Sequence, residues 1–385
     1  MPTDMCAYYG KNMKKTILLS TLVVSSLFAE IPPLKPVEER TFSQSQYMPD
    51  ISLVTDFSYV YRNMKDSELG HFEIPGIAHG MLGSDAHDEH SHATYNANNG
   101  FNFNYAELIL SSNVDPYFSM DGVFHFSEHG VEIEEAYFTT SALPAGLRFR
   151  GGKLLSDLGR INSQHHHYWD FGDMPLVYEA FLGSHGINEL GMQLQWTAPT
   201  PFYLMAGVEV LQGDNEAMFG NDPIIDPNDA NTTLGNEVRA PSMYVGYLKT
   251  SFDIGNTTVL PGLSYAYGSS RLDHLEDDED PHAFSGNSAL YGADLTVKHY
   301  FDSYSFLTWQ SEWMMRKMDG TQYDNNGTTN SVSIEKTQSG YYTQLVYAYD
   351  QNWRTGVRYD TIYQNENAKN AAIVENSPRG DTYTT

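Results

Sequence analysis

From Ile51 onward the chain repeats one pattern, in which about ten residues alternate between apolar and polar side chains before a turn follows. The segment 51–61 shows this pattern, because Ile51, Leu53 and Phe57 fall on one face and Asp56 falls on the other. Side chains of a β-strand alternate between its two faces, so the pattern predicts strands with one apolar and one polar face. No stretch of helical period has comparable strength, and we expect an all-β protein built on one antiparallel sheet.

The turn residues divide this region into a series of strands separated by connections of two lengths. The predicted strands are 51–62, 101–111, 116–126, 131–139, 146–152, 190–198, 202–211, 242–252, 257–269, 289–300, 304–316, 339–350 and 352–363. Long connections alternate with short turns almost throughout, and the long ones are 63–100, 153–189, 212–240, 270–288 and 317–338. In an up-and-down meander every second connection lies at the same end, so the long loops are expected together at one end of the sheet.

This sorting of loops is typical of bacterial outer-membrane proteins, which have short periplasmic turns and long external loops. We therefore predict an antiparallel up-and-down transmembrane β-barrel of about 14–16 strands. The chain stops at 380–385, where a fourteenth strand begins, so we expect further strands to be missing from its C-terminus. A soluble β-protein of the periplasm is the alternative, although a Greek-key sandwich gives no reason to sort loops by length.

The N-terminus predicts export from the cytoplasm. Met13, Lys14 and Lys15 are followed by an apolar run over 16–28 and by Ala29, which together are typical of a secretory signal peptide. We interpret 1–29 as an upstream extension plus this signal peptide, 30–50 as a periplasmic N-terminal tail, and 51–385 as the barrel domain. The expected location is the outer membrane of a Gram-negative bacterium, in contact with its lipid.

The charge balance restricts the partners. The chain has 22 Lys and Arg against 49 Asp and Glu, a net charge of −27, which argues against nucleic acid because phosphate binding needs a basic surface. Cations are favoured instead, and we expect small solutes or divalent cations as partners. The single cysteine, Cys6, lies in the predicted leader, so no disulfide is expected. A homo-oligomer is compatible with this interpretation.

Histidine and acidic residues cluster in three of the long loops. The clusters consist of His87, Asp88, Glu89, His90 and His92 in the first loop, of His165, His166 and His167 in the second, and of His274 and His282 in the third. Imidazole with carboxylate is a ligand set of zinc, and His-rich tracts favour metal binding. We expect these loops to bind Zn²⁺ or a related cation at the external end, either in transit or as loop-bound ions. Adventitious binding by solvated loops is the alternative.

The loop over 153–189 has a second interpretation. Its glycines, prolines and aromatic residues indicate an ordered segment that folds into the lumen and narrows it, whereas capping of the barrel mouth is the alternative. Acidic residues within the predicted strands are expected to face the polar lumen; these are Glu132, Glu134, Glu135, Glu209 and Glu312. No nucleophile elbow, zinc-protease helix or phosphate loop is found, so we do not expect an enzyme.

Part of the sequence resembles a known family. The stretches Glu-Ile-Glu-Glu-Ala-Tyr-Phe from 132 and Leu-Pro-Ala-Gly-Leu-Arg-Phe-Arg-Gly-Gly-Lys from 143 resemble outer-membrane porins. The stretches Asn-Ser-Gln-His-His-His-Tyr-Trp-Asp-Phe-Gly-Asp-Met-Pro-Leu-Val-Tyr from 162 and Glu-Leu-Gly-Met-Gln-Leu-Gln-Trp from 189 resemble zinc-regulated, TonB-dependent outer-membrane receptors of Gram-negative bacteria. This resemblance covers about 130–213 and implies a surface barrel linked to metal supply.

The TonB-dependent part of that family description implies features that this sequence does not match. Such transporters have a plug domain and about 22 strands, whereas only 30–50 precedes the first predicted strand. We therefore expect a passive or metal-facilitating porin. The alternative function is a non-transporting surface barrel that scavenges metal or acts as an adhesin.

Overall fold

The computed structural model describes residues 49–63, 95–96, 98–128, 130–215, 217–275, 281–325 and 327–363, together with the backbone of 366–367 and 383–384. The predicted leader, nearly all of the predicted tail and the tract containing His87, Asp88, Glu89, His90 and His92 lie outside these residues. Within the described chain no helix is both long and apolar enough to cross a membrane.

The described chain is composed almost entirely of β-strands. The strands are Asp50–Val60 (β1), Gly100–Asn113 (β2), Phe118–Ser127 (β3), Gly130–Thr140 (β4), Leu147–Leu155 (β5), Asn188–Thr197 (β6), Tyr203–Leu211 (β7), Ile224–Asp226 (β8), Asp229–Gly235 (β9), Met243–Ile254 (β10), Thr257–His274 (β11), His282–Tyr300 (β12), Phe306–Asn325 (β13), Thr329–Ala348 (β14), Arg354–Ile362 (β15), Glu366–Asn367 (β16) and Tyr383–Thr384 (β17). The helical segments are Leu176–Leu182 (α1) and two single 3₁₀ turns, Pro144–Gly146 and His166–Tyr168.

The strands form one antiparallel meander. The hydrogen-bonded order runs from β1 to β7, continues from β10 to β15 and ends on β17, while β16 pairs with β14 and the β8–β9 hairpin stands apart. Every predicted strand overlaps one of these paired strands, so the predicted all-β, up-and-down architecture is confirmed. The predicted start of another strand corresponds to β17, which pairs with β15.

Two predicted loops are wrong, because 270–288 and 317–338 are mostly strand. The β11–β12 ladder continues as far as the pair His274 and His282, and the β13–β14 ladder continues to Asn325 and Thr329. The Ser, Asn, Asp and Gln side chains of these extensions interrupt the apolar alternation and therefore resemble a loop. The backbone hydrogen bonds of an antiparallel hairpin do not depend on that alternation. A third predicted loop, 212–240, contains the β8–β9 hairpin.

The sheet curls around the connection between β5 and β6, residues 156–187, which we call the inserted loop. At the edge of the sheet formed by its first strand, Nδ1 of His166 in this loop lies 3.5 Å from Oδ2 of Asp56 in β1. Near the opposite edge, the backbone N–H of Leu176 donates to Oδ1 of Asp360 in β15, at 3.1 Å. Because one loop contacts both the first strand and β15, the sheet forms a barrel wall and its concave face is the lumen.

The apolar core lies inside this wall, around α1. Val177 and Phe181 of α1 are fully buried and belong to a cluster that includes inward side chains of β7, β10 and β13. The alternating apolar residues face outward instead, as shown by Phe57 and Phe103, whose rings lie 5.2 Å apart on the outer surface. The apolar face of the strands is therefore the outer surface of the barrel.

Candidate constriction and metal centre

Local chemistry determines the shape of the inserted loop. Helix α1 begins after Pro175 and ends at Gly183, which has a positive φ of 74° and whose N–H donates to the carbonyl of Glu179 at 3.1 Å. Glycine ends helices in this way because it adopts positive φ without steric cost. The side chain of Asn162 then joins the two ends of the loop, since its amide donates to Ser156 O at 2.8 Å and its oxygen accepts from Ile187 N at 2.8 Å.

One attachment of the loop to the wall is centred on Glu312 of β13, and we call it the Glu312 anchor. Oε1 of Glu312 accepts hydrogen bonds from the backbone N–H of Arg160 and from the hydroxyl of Tyr178, both at 2.7 Å. Oε2 accepts from the hydroxyl of Tyr342 at 2.9 Å. The guanidinium of Arg160 also donates to Oδ1 of Asp294, at 2.7 and 3.1 Å. Both oxygens of this buried carboxylate are therefore satisfied.

The second attachment joins Glu107 of β2, His125 of β3 and Glu134 of β4 to His165 of the loop, and we call these four residues the His–Glu cluster. One side-chain donor atom from each lies within 4.8 Å of all the others. Nε2 of His125 lies 2.6 Å from Oε2 of Glu134 and 3.0 Å from Oε2 of Glu107. Nδ1 of His165 lies 3.0 and 3.3 Å from the same two oxygens. Three wall strands and one loop thus meet at a single point.

A β-bulge supplies part of this geometry. The register between β3 and β4 shifts between Val123 and Phe124, which leaves Glu134 as an extra residue in β4. A bulge interrupts the alternation of side chains, so consecutive residues can face the same side. Glu134 and Glu135 both turn inward as a result, and both contact the ring of His165. A second register shift, between β1 and β2, lies beside the same site.

The surroundings hold the two imidazoles in place. Nε2 of His165 lies 2.9 Å from Oε2 of Glu135, and the ring of Tyr105 stacks on His125 with centroids 4.4 Å apart. Burial alone lowers the pKa of His165, but its hydrogen bonds to Glu107, Glu134 and Glu135 outweigh burial and raise the pKa to about 12. The three carboxylates thus favour the protonated form of the His165 ring.

The structure brings together only part of the predicted set of metal ligands. His165 joins the cluster, while Nδ1 of His167 lies 3.6 Å from Oε2 of Glu107 and His166 stacks on Tyr95 with ring centroids 4.2 Å apart. All three histidines contact inward side chains of β1, β2 or β4 and lie near the end of the barrel from which the inserted loop emerges. Their predicted position at the external end stays a prediction, and the loop folds toward the lumen, in agreement with the second interpretation of 153–189.

The other predicted histidines do not meet this site. His274 and His282 oppose each other at the end of the β11–β12 ladder, with ring centroids 5.4 Å apart, and neither belongs to the cluster. Sequence reasoning did not select Glu107 or His125. Their inward position in the alternation was a usable signal, but it did not show that they share a site.

Comparisons with known proteins give limited information. No protein-family model matches the chain, so the resemblance to zinc-regulated, TonB-dependent receptors stays a prediction. An uncharacterized protein of Aquifex aeolicus (strain VF5) is 48% identical over 325 residues, which are 84% of this chain and 66% of that protein. The chain therefore spans just under two thirds of the length of the curated relative that it matches.

Solved structures similar to this chain are outer-membrane proteins. The outer-membrane channel DcaP of Acinetobacter baumannii matches with a TM-score of 0.37 and 8% identity, over 89% of this chain and 96% of that chain. Outer-membrane expressed OmpT of Vibrio cholerae matches with a TM-score of 0.38 and 10% identity, over 73% of this chain and 70% of that chain. The antiparallel meander described above follows from the strand pairing of this chain itself.

Proposed function

We propose that the chain is an outer-membrane β-barrel channel, not an enzyme, and that the inserted loop sets the width of its pore. The observation that carries this proposal is the position of 156–187 inside the barrel, attached to strands at both ends of the meander. A loop in this position leaves solutes only the space between itself and the wall. Side chains that line such a constriction select the permeant.

The outer surface supports a location in the membrane. Large apolar side chains project from it, including Phe101 at 90% exposure and Val357 at 69%. Lipid is the solvent that suits a continuous apolar band around a barrel. Tyr61 follows β1 at one end of the wall, and Trp353 precedes β15 at the other, and both are strongly exposed. Aromatic residues at both ends are typical of the girdles that mark the two membrane interfaces.

The lumen supports the passage of ions. At the start of the inserted loop, Oδ2 of Asp157 accepts from the guanidinium of Arg150 at 2.9 Å, and Nζ of Lys249 lies 3.9 Å from Oδ1 of Asp157. Charges of both signs along a pore filter ions by charge. We propose that Zn²⁺ or a related divalent cation is among the permeants. The net charge of −27 and the His–Glu cluster favour a cation.

One observation favours the alternative of a non-transporting, metal-binding surface barrel. Helix α1 packs its apolar face against the inner wall, and the buried side chains of Val177, Phe181 and Leu182 fill that part of the lumen. A barrel filled in this way could present its loops to metal or to a partner without conducting.

Planar-bilayer recording of the purified full-length protein distinguishes the two functions. We expect discrete conductance steps and, in asymmetric ZnCl₂, a reversal potential that shows Zn²⁺ permeation. Lys249→Glu, which changes one luminal charge, should shift the reversal potential toward cation selectivity. Lys317→Glu, which makes the same change of charge at an outward position of β13, serves as the matched control and should not shift it. Absence of steps from protein with the far-ultraviolet signature of a folded barrel would contradict the channel and leave the alternative.

A further inference from the structure

The geometry points to a resident transition-metal site inside the barrel, in which Glu107, His125, Glu134 and His165 hold one ion of the zinc class. This ion fastens the inserted loop to the wall. The inference goes beyond the proposed channel, because the ion is a structural ligand of the chain whether or not the barrel conducts.

The donor set and its spacing suit such an ion. Two imidazole nitrogens and two carboxylate oxygens make the four ligands of a tetrahedral zinc site. Ligand atoms about 2.0–2.1 Å from a tetrahedral ion stand about 3.3 Å apart. The four His-to-Glu separations in the cluster are 2.6, 3.0, 3.0 and 3.3 Å. These separations fall short of that value by at most 0.7 Å, and the His-to-His and Glu-to-Glu separations do not exceed 4.8 Å. A rearrangement of the four side chains on this scale would let the cluster accept the ion.

An outer carboxylate prepares one of the ligands. His165 has Nδ1 in the cluster and Nε2 at 2.9 Å from Oε2 of Glu135. When Nε2–H donates to Glu135, the lone pair of Nδ1 is free for the ion, and a metal-ligating histidine is usually oriented by such a bond. Glu135 is thus a positioning residue: it acts on the ion through His165.

A second, independent observation concerns unsatisfied buried atoms at the same place. The side chain of Glu107 is fully buried, yet Oε1 has no hydrogen-bond partner among the described residues. Nδ1 of His167, which lies 3.6 Å from Oε2 of Glu107, is buried without such a partner as well. Buried polar atoms in native proteins are normally satisfied by protein, water or ions. A cation at the cluster compensates the buried carboxylate.

The origin of the ligands determines what the ion does. Glu107, His125 and Glu134 belong to adjacent wall strands, whereas His165 belongs to the inserted loop. A bound ion therefore cross-links loop to wall at one position. The Glu312 anchor holds a different part of the same loop, so loss of the ion should loosen 163–170 and leave α1 in place.

Cobalt and zinc binding to the full-length protein in detergent test the site, after removal of metal with a chelator. We expect one Co²⁺ per chain with the visible absorption of a tetrahedral ion, displaced by Zn²⁺. His125→Ala and His165→Gln should each abolish this absorption. Glu135→Gln should weaken Zn²⁺ affinity by about 10–100-fold while the absorption persists at saturation, because an outer ligand is changed.

A matched control uses histidines outside the cluster. His274→Ala with His282→Ala removes two predicted ligands and should leave the tetrahedral absorption unchanged. Retention of the absorption and affinity in His125→Ala, or their loss in the control, would overturn the site. Far-ultraviolet circular dichroism of each variant confirms folding, and His165→Gln preserves side-chain polarity and approximate size in case His125→Ala does not fold.

Hydrogen exchange tests the fastening. Chelation should increase exchange across 163–170 and leave α1 unchanged, and added Zn²⁺ should reverse the increase. If Zn²⁺ binds at the cluster but exchange across 163–170 does not respond, the fastening role is wrong. None of these measurements needs conductance, so failure of the channel proposal and failure of the metal proposal give different results.

Discussion

The Glu312 anchor and the His–Glu cluster hold the same loop to different strands by different chemistry. At Glu312 both carboxylate oxygens are occupied by fixed donors: a backbone N–H and two tyrosine hydroxyls. At the cluster two carboxylates and two imidazoles share their contacts, and Oε1 of Glu107 is left without a hydrogen bond. The first network is complete within the protein, and we propose that a cation completes the second. A closed network suits permanent support, whereas an open set of ligands suits an exchangeable ion.

The largest effect is expected from breaking the complete network. Glu312→Ala leaves the N–H of Arg160 and the hydroxyls of Tyr178 and Tyr342 without their acceptor. Breaking a buried, hydrogen-bonded network of this kind costs about 3–5 kcal/mol, which we expect as a loss of unfolding free energy in urea. Glu312→Gln keeps one acceptor oxygen and should lose clearly less. Equal stability of Glu312→Ala and the native protein would show that this anchor is not a support.

Zinc should stabilise the protein through the other attachment. At free Zn²⁺ 100 times its dissociation constant, we expect a gain of about 2.7 kcal/mol in unfolding free energy, because the ion binds only the folded site. His125→Ala should show no gain, whereas Glu312→Ala should show the full gain from its lower starting stability. If Glu312→Ala also lost the zinc response, the two attachments would not be independent.

Two glycines with the same positive φ allow a matched test of the close approach at Glu312. Gly159 and Gly255 both have a φ of +61°, but a Cβ at Gly159 would overlap Oε1 of Glu312, and one at Gly255 meets nothing within 4 Å. Gly255→Ala should cost about 1–2 kcal/mol for left-handed backbone alone. Gly159→Ala should cost more in the same urea titration, because Glu312 must move. Equal costs would contradict the close contact.

Glu179 of α1 should make the stability of the protein depend on pH. Burial, and then the charge of Asp173, raise the pKa of Glu179 to about 7 from the model-peptide value of 4.5. The folded state then holds the proton more tightly than the unfolded state, so stability should fall as pH rises from about 4.5 to about 7. Glu179→Gln should remove this pH dependence, which is measured as the urea midpoint of unfolding of the native protein and of the variant between about pH 4.5 and pH 7. An unchanged pH profile would place Glu179 in contact with water.

The sequence predicted the strands well because alternation is a local property. Each segment from Ile51 onward carries its own period of two, and turn residues mark its ends. The predicted strand limits were wrong where features other than side-chain alternation determine the structure. The extensions of β11 to β14 are polar but paired, because backbone hydrogen bonds between the strands stabilise them. The bulge at Glu134 also escaped prediction, because a register shift depends on two strands at once.

The candidate site was only partly predictable. His165 was selected because it lies in a run of histidines, and Glu134 was expected to face the lumen. Glu107 and His125 are isolated within their strands, so composition gives no reason to join them. They meet because β2, β3 and β4 are neighbours in register and the loop returns His165 to them.

The sequence by itself determined the strand order and the outward apolar face, since both follow from side-chain periodicity over about ten residues. Only the tertiary structure decided that 156–187 lies inside the barrel and that Glu107, His125, Glu134 and His165 share one point. Such contacts between residues far apart in the chain depend on strand register, on a bulge that turns Glu134 and Glu135 inward together, and on the packing that holds the loop in the lumen.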